Sequence, residues 1–346
     1  MSLCVYLLQP PDEKSLALLR DHLLPGVQLV LGPSLPTPAN YQILVSGRPQ
    51  RKHLSASPRL RALIIPWAGL PAATRELMDD FEHVAVHNLH YNAVPSAEMV
   101  LTLFLAAAKR IVPADRSLRA HDWSPRYRPN PSILLEGKTA LILGYGAIGQ
   151  RVARMCRGLG MKVLGMRRNV AAPSDTPDAS SPGERDASSP GERDASSLDE
   201  IHPPEALHRL LPRANALLVC LPLTPATSGL IGADELALLP PGAVLVNVGR
   251  GPIVDESALY HALRDGVLYA AGLDVWYSYP PDEAARAHTP PSAYPFHELD
   301  NVVMSPHRAG GSTEKGVQRM THLARMLNAA ARGEPLPNRV DLEAGY

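Results

Sequence analysis

The sequence is poor in cysteine, balanced in charge and free of long apolar runs, and each lack excludes something. Only three cysteines, Cys4, Cys156 and Cys220, occur in 346 residues. All sit inside apolar segments without C-x-x-C spacing. A disulfide framework and a thiolate metal site are thereby excluded, no metal is expected, and the three read as buried free thiols in a reducing compartment. Lysine plus arginine number 34 and aspartate plus glutamate 34, a formal net charge of zero. That balance offers no field to attract nucleic acid or an anionic membrane. No uncharged apolar run approaches the roughly 18 residues of a spanning helix. The opening MSLCVYLLQPPDEK has neither a basic segment nor a long enough apolar one, so no secretory leader is expected. A cytoplasmic protein is predicted.

What is present is organised around Thr139–Gln150, TALILGYGAIGQ. Ala140–Leu143 reads as a strand buried on both faces, the kind found in parallel sheets. Gly144, Gly146 and Gly149 follow with G-x-G-x-x-G spacing. The first suits a tight turn, the second a close backbone approach to a pyrophosphate, and the third close helix–strand packing. A helix from Ala147 to about Leu159 presents its N-terminus there, where free N–H groups favour an anion. Lys162–Met166 closes the βαβ unit. In that context dinucleotide binding outweighs the alternative of an ordinary glycine-rich turn.

Length predicts two domains. In the first 95 residues, Leu3–Leu8, Gln42–Val45, Ala62–Ile65 and Val84–His87 read as strands, and Leu16–Leu23 and Ala72–Phe81 as helices. Two loops, around Gly47 and Gly69, follow strands directly, where α/β folds hold ligands. Ser96 is expected to cap an apolar, buried helix over Ala97–Ile111, followed by a polar loop over Pro113–Glu136 that covers a partner subunit. Residues 180–187 and 188–195 are both SSPGERDA. This tandem octapeptide is expected to lie in a disordered insertion at 171–198, because it has too little apolar surface to order itself. Regular α/β order then resumes and ends in a long helix, Thr313–Ala331, expected to return to the first domain.

Arg250, Asp274 and His307 each fall just past a predicted strand, at the edge that faces a cofactor crevice in a doubly wound sheet. An arginine binds a carboxylate through two parallel hydrogen bonds and polarises an adjacent carbonyl. A histidine titrating near neutrality exchanges a proton with an alcohol. Alone, either is better read as a salt-bridge or structural residue. Beside a glycine motif in one sheet, the set suits hydride transfer at a 2-hydroxy or 2-keto acid.

The segments GYGAIGQ, LPLTPATSGLIG, LVNVGRG, YAAGLDVW and MSPHRAGGS resemble, in order, the signatures of the D-isomer-specific 2-hydroxyacid dehydrogenases. The resemblance runs from about Leu135 to Ser312. It implies two Rossmann-like α/β domains, doubly wound parallel sheets with NAD or NADP in the cleft between them, and a homodimer. The substrate domain would be discontinuous, 1–96 plus 309–346, and the dinucleotide domain would span 97–308. Arg250 would bind the substrate and His307 act as acid/base. Gly47, Gly69 and Asn92 would contribute to the substrate site, the glycines through backbone N–H groups. Cofactor contacts would come from Gly144, Gly146, Ala147, Ile148 and Gly149, from Leu221, Pro222 and Thr227, and from Val248, Gly249, Arg250 and His307. Asp274 would sit by the nicotinamide carboxamide.

Two departures qualify this picture. The family's catalytic glutamate, normally followed by proline, is replaced by Tyr279 before Pro280. The carboxylate that would orient His307 and raise its pKa is missing from its usual place. Formate dehydrogenases of the same superfamily also carry a neutral residue there and an asparagine near Asn92. A formate-type enzyme and a catalytically impaired, cofactor-binding regulator therefore stand as alternatives to the reduction of a small 2-keto acid. The second departure is Arg167-Arg168 at the end of the second strand, where NAD users place an acidic residue for the ribose. Two arginines suit a 2′-phosphate, which puts NADP ahead of NAD.

Overall fold

The computed structural model describes residues 2–168, 170, 200–343 and 345. The octapeptide repeat and the insertion expected at 171–198 lie outside the described residues. In chain order the elements are β1 (Leu3–Leu7), α1 (Glu13–Asp21), β2 (Val27–Leu31), β3 (Ile43–Val45), α2 (Arg51–Ser55), β4 (Ala62–Ile65), α3 (Ala72–Met78) and β5 (Ala85–Asn88). There follow α4 (Ala93–Ala108), α5 (Ile111–Arg119), β6 (Thr139–Leu143), α6 (Ala147–Gly158), β7 (Lys162–Met166), β8 (Glu200–His202), α7 (Leu207–Leu210) and β9 (Ala216–Val219). The last are α8 (Ala233–Ala237), β10 (Val244–Asn247), α9 (Glu256–Arg264), β11 (Ala270–Leu273), β12 (Val302–Met304) and α10 (Lys315–Ala331). The chain divides into two compact units, Met1–Asn92 with Gly311–Tyr346, and Ala93–Gly310.

The first unit holds a parallel sheet in the order β2-β1-β3-β4-β5. Its strands are apolar at successive positions because both faces are covered. Val5 and Leu7 face a cluster that includes Met320, Leu323 and Leu327 of α10. Tyr6, Leu44 and Leu63 face the opposite cluster, with Met78 and Phe81. The alternation follows from the two-residue period of a strand. α10 packs on α1 and β2, so this unit is discontinuous in sequence. At the start of α1, Asp12 Oδ1 accepts the Ser15 N–H at 2.9 Å, occupying one of the free donors of the first turn.

The second unit holds a parallel sheet in the order β12-β11-β10-β9-β6-β7-β8. From β6 the strands step outward to β8 in one direction and, through β9, to β12 in the other. The order therefore reverses between β6 and β9, which is where a doubly wound sheet opens a crevice at its carboxyl edge. Ala140, Ile142, Leu218 and Val246 face one side, covered by Val100, Leu103 and Phe104 of α4. Leu141, Leu143, Leu217 and Leu245 face the other, with Leu259 and Leu263 of α9. The expected doubly wound α/β sheets are thus present in both units.

The structure corrects the sequence reading at several helices and strands. Ser96 does not cap α4; it is buried inside the helix, which starts at Ala93. Pro95 lies in the first turn, where a missing N–H costs nothing because no intrahelical acceptor is available. The same reason explains α5, which occupies part of the expected polar loop and carries Pro113 in its first turn. No residue of α5 is buried. β2, α2 and β8 have no counterpart in the sequence reading. All three are short, and β2 and β8 lie at sheet edges.

Candidate active site

Parallel strands place all their carboxyl ends on one edge, so the loops that follow them form a single row. In the second unit that row begins with the glycine turn after β6. Gly144 has φ +96°, a left-handed conformation that a side chain disfavours, and a Cβ there would stand 2.9 Å from the Cys220 backbone beyond β9. At Gly149 a Cβ would stand 2.1 Å from the Gly144 carbonyl oxygen, so the helix packs on its own turn. Gly146, in contrast, is exposed, with nothing within 4 Å of a Cβ position. The first intrahelical bond of α6 is Gln150 N–H to Gly146 O at 3.0 Å. The N–H groups of Ala147, Ile148 and Gly149 precede it, beside that open space. An open backbone with helix-terminal donors fits the pyrophosphate of a dinucleotide.

Beyond β7, the Arg167 N–H donates to His202 O of β8 at 3.0 Å, and its guanidinium reaches Val170 O at 3.2 Å. Arg167 is half-buried and Arg168 exposed. Beyond β9, Leu221 and Pro222 are half-buried. Thr227 Oγ1 donates to Pro222 O at 2.7 Å and accepts the Thr224 N–H at 2.8 Å, so this hydroxyl staples its own loop. Beyond β10, Val248 and Gly249 are buried and Arg250 exposed. Asn247 ties this turn at both ends, accepting from Gly249 N–H and donating to Arg250 O, each at 3.0 Å. Arg250 Nη1 donates to Gly249 O at 2.7 Å, which aims the guanidinium from a fixed stem.

β10, β11 and β12 are neighbours, so Arg250, Asp274 and His307 follow adjacent strand ends. Asp274 is 0% exposed. One of its oxygens accepts Ser305 Oγ–H at 2.5 Å and Arg308 N–H at 2.8 Å; the other accepts Ala309 N–H at 2.8 Å. The resemblance implies a contact with a nicotinamide carboxamide; in this structure the carboxylate is engaged by these three protein donors. Here Asp274 clasps the segment on both sides of His307. That histidine has φ +55°, strained backbone for a residue other than glycine.

Tyr279, where the family has its glutamate, lies against His307 with ring centroids 5.4 Å apart and planes inclined by 56°. Its hydroxyl accepts the Trp276 N–H at 3.1 Å. Among the described residues no carboxylate is hydrogen-bonded to the His307 ring. Glu283 is paired with Arg286 at 2.5 Å, and Glu298 lies 3.9 Å from His297. His307 is an exposed residue, yet desolvation by surrounding protein pulls its pKa below the ordinary value. The Arg250 guanidinium lowers it further and the Asp274 carboxylate opposes both. Ser305 and Trp276 were not singled out from sequence. A hydroxyl two residues before the histidine carries no spacing signal, and Trp276 figured only as part of a matching segment.

In the first unit, Gly47 follows β3 and is buried, with the Trp67 ring 1.9 Å from where its Cβ would stand. Its carbonyl accepts Thr74 Oγ1–H at 2.8 Å. Gly69 lies in the loop after β4, which Asn88 holds by donating to Ala68 O at 2.7 Å. Asn92 is half-buried at the end of the unit's first segment.

The second unit, with a glycine turn beside the switch point of a doubly wound parallel sheet, defines a Rossmann-type α/β protein. Residues 101–309 match the model of the D-isomer specific 2-hydroxyacid dehydrogenase NAD binding domain. The chain belongs to that family. It is 32% identical over 292 residues to a D-3-phosphoglycerate dehydrogenase of Mycobacterium leprae, covering 84% of this chain and 49% of that one. It is 33% identical over 255 residues to a glyoxylate reductase of Korarchaeum cryptofilum, covering 72% and 66%. The chain thus spans about half the length of the phosphoglycerate dehydrogenase. Among solved structures, a D-isomer specific 2-hydroxyacid dehydrogenase from Xanthobacter autotrophicus Py2, in complex with NADPH and MES, is similar over 100% of both chains with TM-score 0.74 and 25% identity.

The depressed His307 pKa has a signed consequence. Proton donation needs imidazolium, which is lost as pH rises through that pKa, so a reaction using His307 as acid should decline below the ordinary value of about 6.5. Tyr279→Glu supplies a carboxylate partner and should move the descending limb of kcat/KM upward by about one unit or more. A pH–rate profile of both proteins measures this; an unmoved limb would mean that residue 279 does not govern His307.

Proposed function

We propose that the chain is an NAD(P)-dependent oxidoreductase that transfers a hydride between a nicotinamide and a small 2-keto or D-2-hydroxy acid. The observation that carries this reading is the row of Arg250 and His307 on adjacent loops of the sheet that bears the glycine turn. The likeness to a glyoxylate reductase supports a small keto acid. The bound nicotinamide supplies or takes up the hydride. Arg250 binds the substrate carboxylate through its planar fork and polarises the carbonyl. A ring nitrogen of His307 gives its proton to the carbonyl oxygen in reduction and takes it back in oxidation. For the first unit, the family resemblance assigns substrate contacts to the backbone N–H groups at Gly47 and Gly69 and to Asn92.

NADP is favoured over NAD. Arg167 and Arg168 follow β7 where an acidic residue would meet a ribose hydroxyl, and the Xanthobacter relative was crystallised with NADPH. The neutral Tyr279 keeps formate-type chemistry as the second reading, since a clamped anion that gives up hydride needs no general acid. The protein is assigned to the cytoplasm, which suits three free cysteines. Among the described residues no helix is long and apolar enough to cross a membrane. A homodimer is supported by exposed apolar side chains on and after α5: Ile111, Leu118, Trp123 and Tyr127.

Purified protein should reduce glyoxylate, hydroxypyruvate or pyruvate, and Arg250→Lys should lower kcat/KM by about a hundredfold or more while cofactor binding persists. Near-native activity in that variant, or turnover of formate alone, would sink the keto-acid assignment. A guanidinium contact to a 2′-phosphate contributes roughly 1.5–3 kcal/mol, about 10- to 150-fold in affinity. Wild type should prefer NADPH and Arg167→Asp should reverse that, as read by cofactor titration. Light scattering should give twice the chain mass, and Trp123→Glu should shift it toward the monomer.

A further inference from the structure

Trp276 contacts residues that neighbour the candidate catalytic row without belonging to it. Its side chain is buried and packs edge-on against Phe296, with ring centroids 6.0 Å apart. Its indole Nε1–H donates to Ser305 O at 2.8 Å, two residues before His307. Its backbone N–H donates to Tyr279 Oη at 3.1 Å, and the Tyr279 ring lies against His307. Its carbonyl lies against Gly251, the residue after Arg250. A Cβ at Gly251 would stand 2.3 Å from that oxygen, so the Arg250 turn closes directly onto Trp276.

We infer that Trp276 is a positioning residue that fixes His307, Tyr279 and Arg250 relative to one another through two hydrogen bonds and one backbone contact. The inference rests on the proposed function for its kinetic consequence, but not for its structural one. Asp274 holds the histidine segment through Ser305 Oγ and the Arg308 and Ala309 N–H groups. Trp276 holds the Ser305 carbonyl, a different atom of the same segment. The two anchors together leave the strained histidine little freedom. The arrangement also gives residue 279 a use that needs no carboxylate. With its hydroxyl pinned by Trp276, the Tyr279 ring becomes a wall that orients the imidazole by contact. A reacting group misplaced by about 1 Å loses on the order of a hundredfold in rate, so an anchor at this distance from the chemistry matters to kcat.

Trp276→Phe keeps an aromatic body against Phe296 and removes the indole donor together with part of the buried ring, which is why a packing control accompanies it. In the full-length protein with NADP+ bound, the variant should hold cofactor within about twofold of wild type, and kcat should fall on the order of 10- to 100-fold with KM little changed. In histidine-labelled protein, with His307 assigned from a His307→Gln spectrum, the NMR titration of His307 should shift while the other histidines stay put. Phe296→Leu is the packing control: it should lower Tm but leave the His307 titration in place. In wild type, the Trp276 indole N–H should exchange slowly with solvent. Fast exchange, an unshifted His307 titration in Trp276→Phe, or an equal shift in Phe296→Leu would each overturn the inference. If no keto acid is turned over, the proposed function fails while the titration and exchange measurements still decide the role of Trp276.

Discussion

A carboxylate without solvent contact, Asp274, holds the segment that carries His307. Burying a charge is costly unless its lone pairs are matched, and here a hydroxyl and two backbone N–H groups match them. Left-handed backbone at His307 costs roughly 1–2 kcal/mol. Hydrogen bonds to a charged acceptor contribute about 1.5–3 kcal/mol each, so three of them outweigh that strain. The carboxylate is supplied by the end of β11 and its donors follow β12, so the clasp also staples two neighbouring strands at the edge where the candidate residues gather.

That edge is a consequence of topology. In an all-parallel sheet every strand delivers its following loop to the same side, and an order that reverses between β6 and β9 leaves the loops there diverging. The glycine turn after β6 supplies open backbone and helix-terminal donors, while β10, β11 and β12 supply a cation, a buried anion and a titratable ring. The spacing among these groups is set by strand separation of about 4.8 Å, and only the loop tips can adjust it. Small contacts in the loops, such as Asn247 to Gly249 and Arg250 or Trp276 to Ser305, are what tie those tips down.

The parts legible in the sequence are those whose physics is local. The strand–glycine–helix turn at 139–158 needs particular residues at particular places, and its elements fall where the spacing puts them. Buried parallel strands such as Ala62–Ile65 announce themselves as short apolar runs. Pro95 and Pro113 misled because a proline is a breaker inside a helix and harmless in its first turn, and sequence alone does not say which position it occupies. β8 escaped notice because an edge strand of three residues is defined by its partner, β7, rather than by its own composition. For the same reason the burial of Asp274 was not legible: its partners lie more than thirty residues away in sequence, joined to it by sheet order and not by spacing.

Under the proposed chemistry, a neutral Tyr279 in place of a carboxylate changes what kind of acid or base His307 is. A carboxylate partner would stabilise imidazolium, whereas a tyrosine ring holds the imidazole in place with much weaker support for the charge. Asp274 is the remaining nearby anion, and its lone pairs point to Ser305, Arg308 and Ala309. Desolvation and Arg250 act against protonation. Near neutral pH the balance therefore favours the neutral ring, which is the form that accepts a proton. Under the proposed chemistry that form serves oxidation of a hydroxy acid directly, while reduction must draw on the minor imidazolium. Under that same proposed chemistry, residue 279 does more than wall the ring: the charge it withholds biases which direction of hydride transfer is served more readily at a given pH.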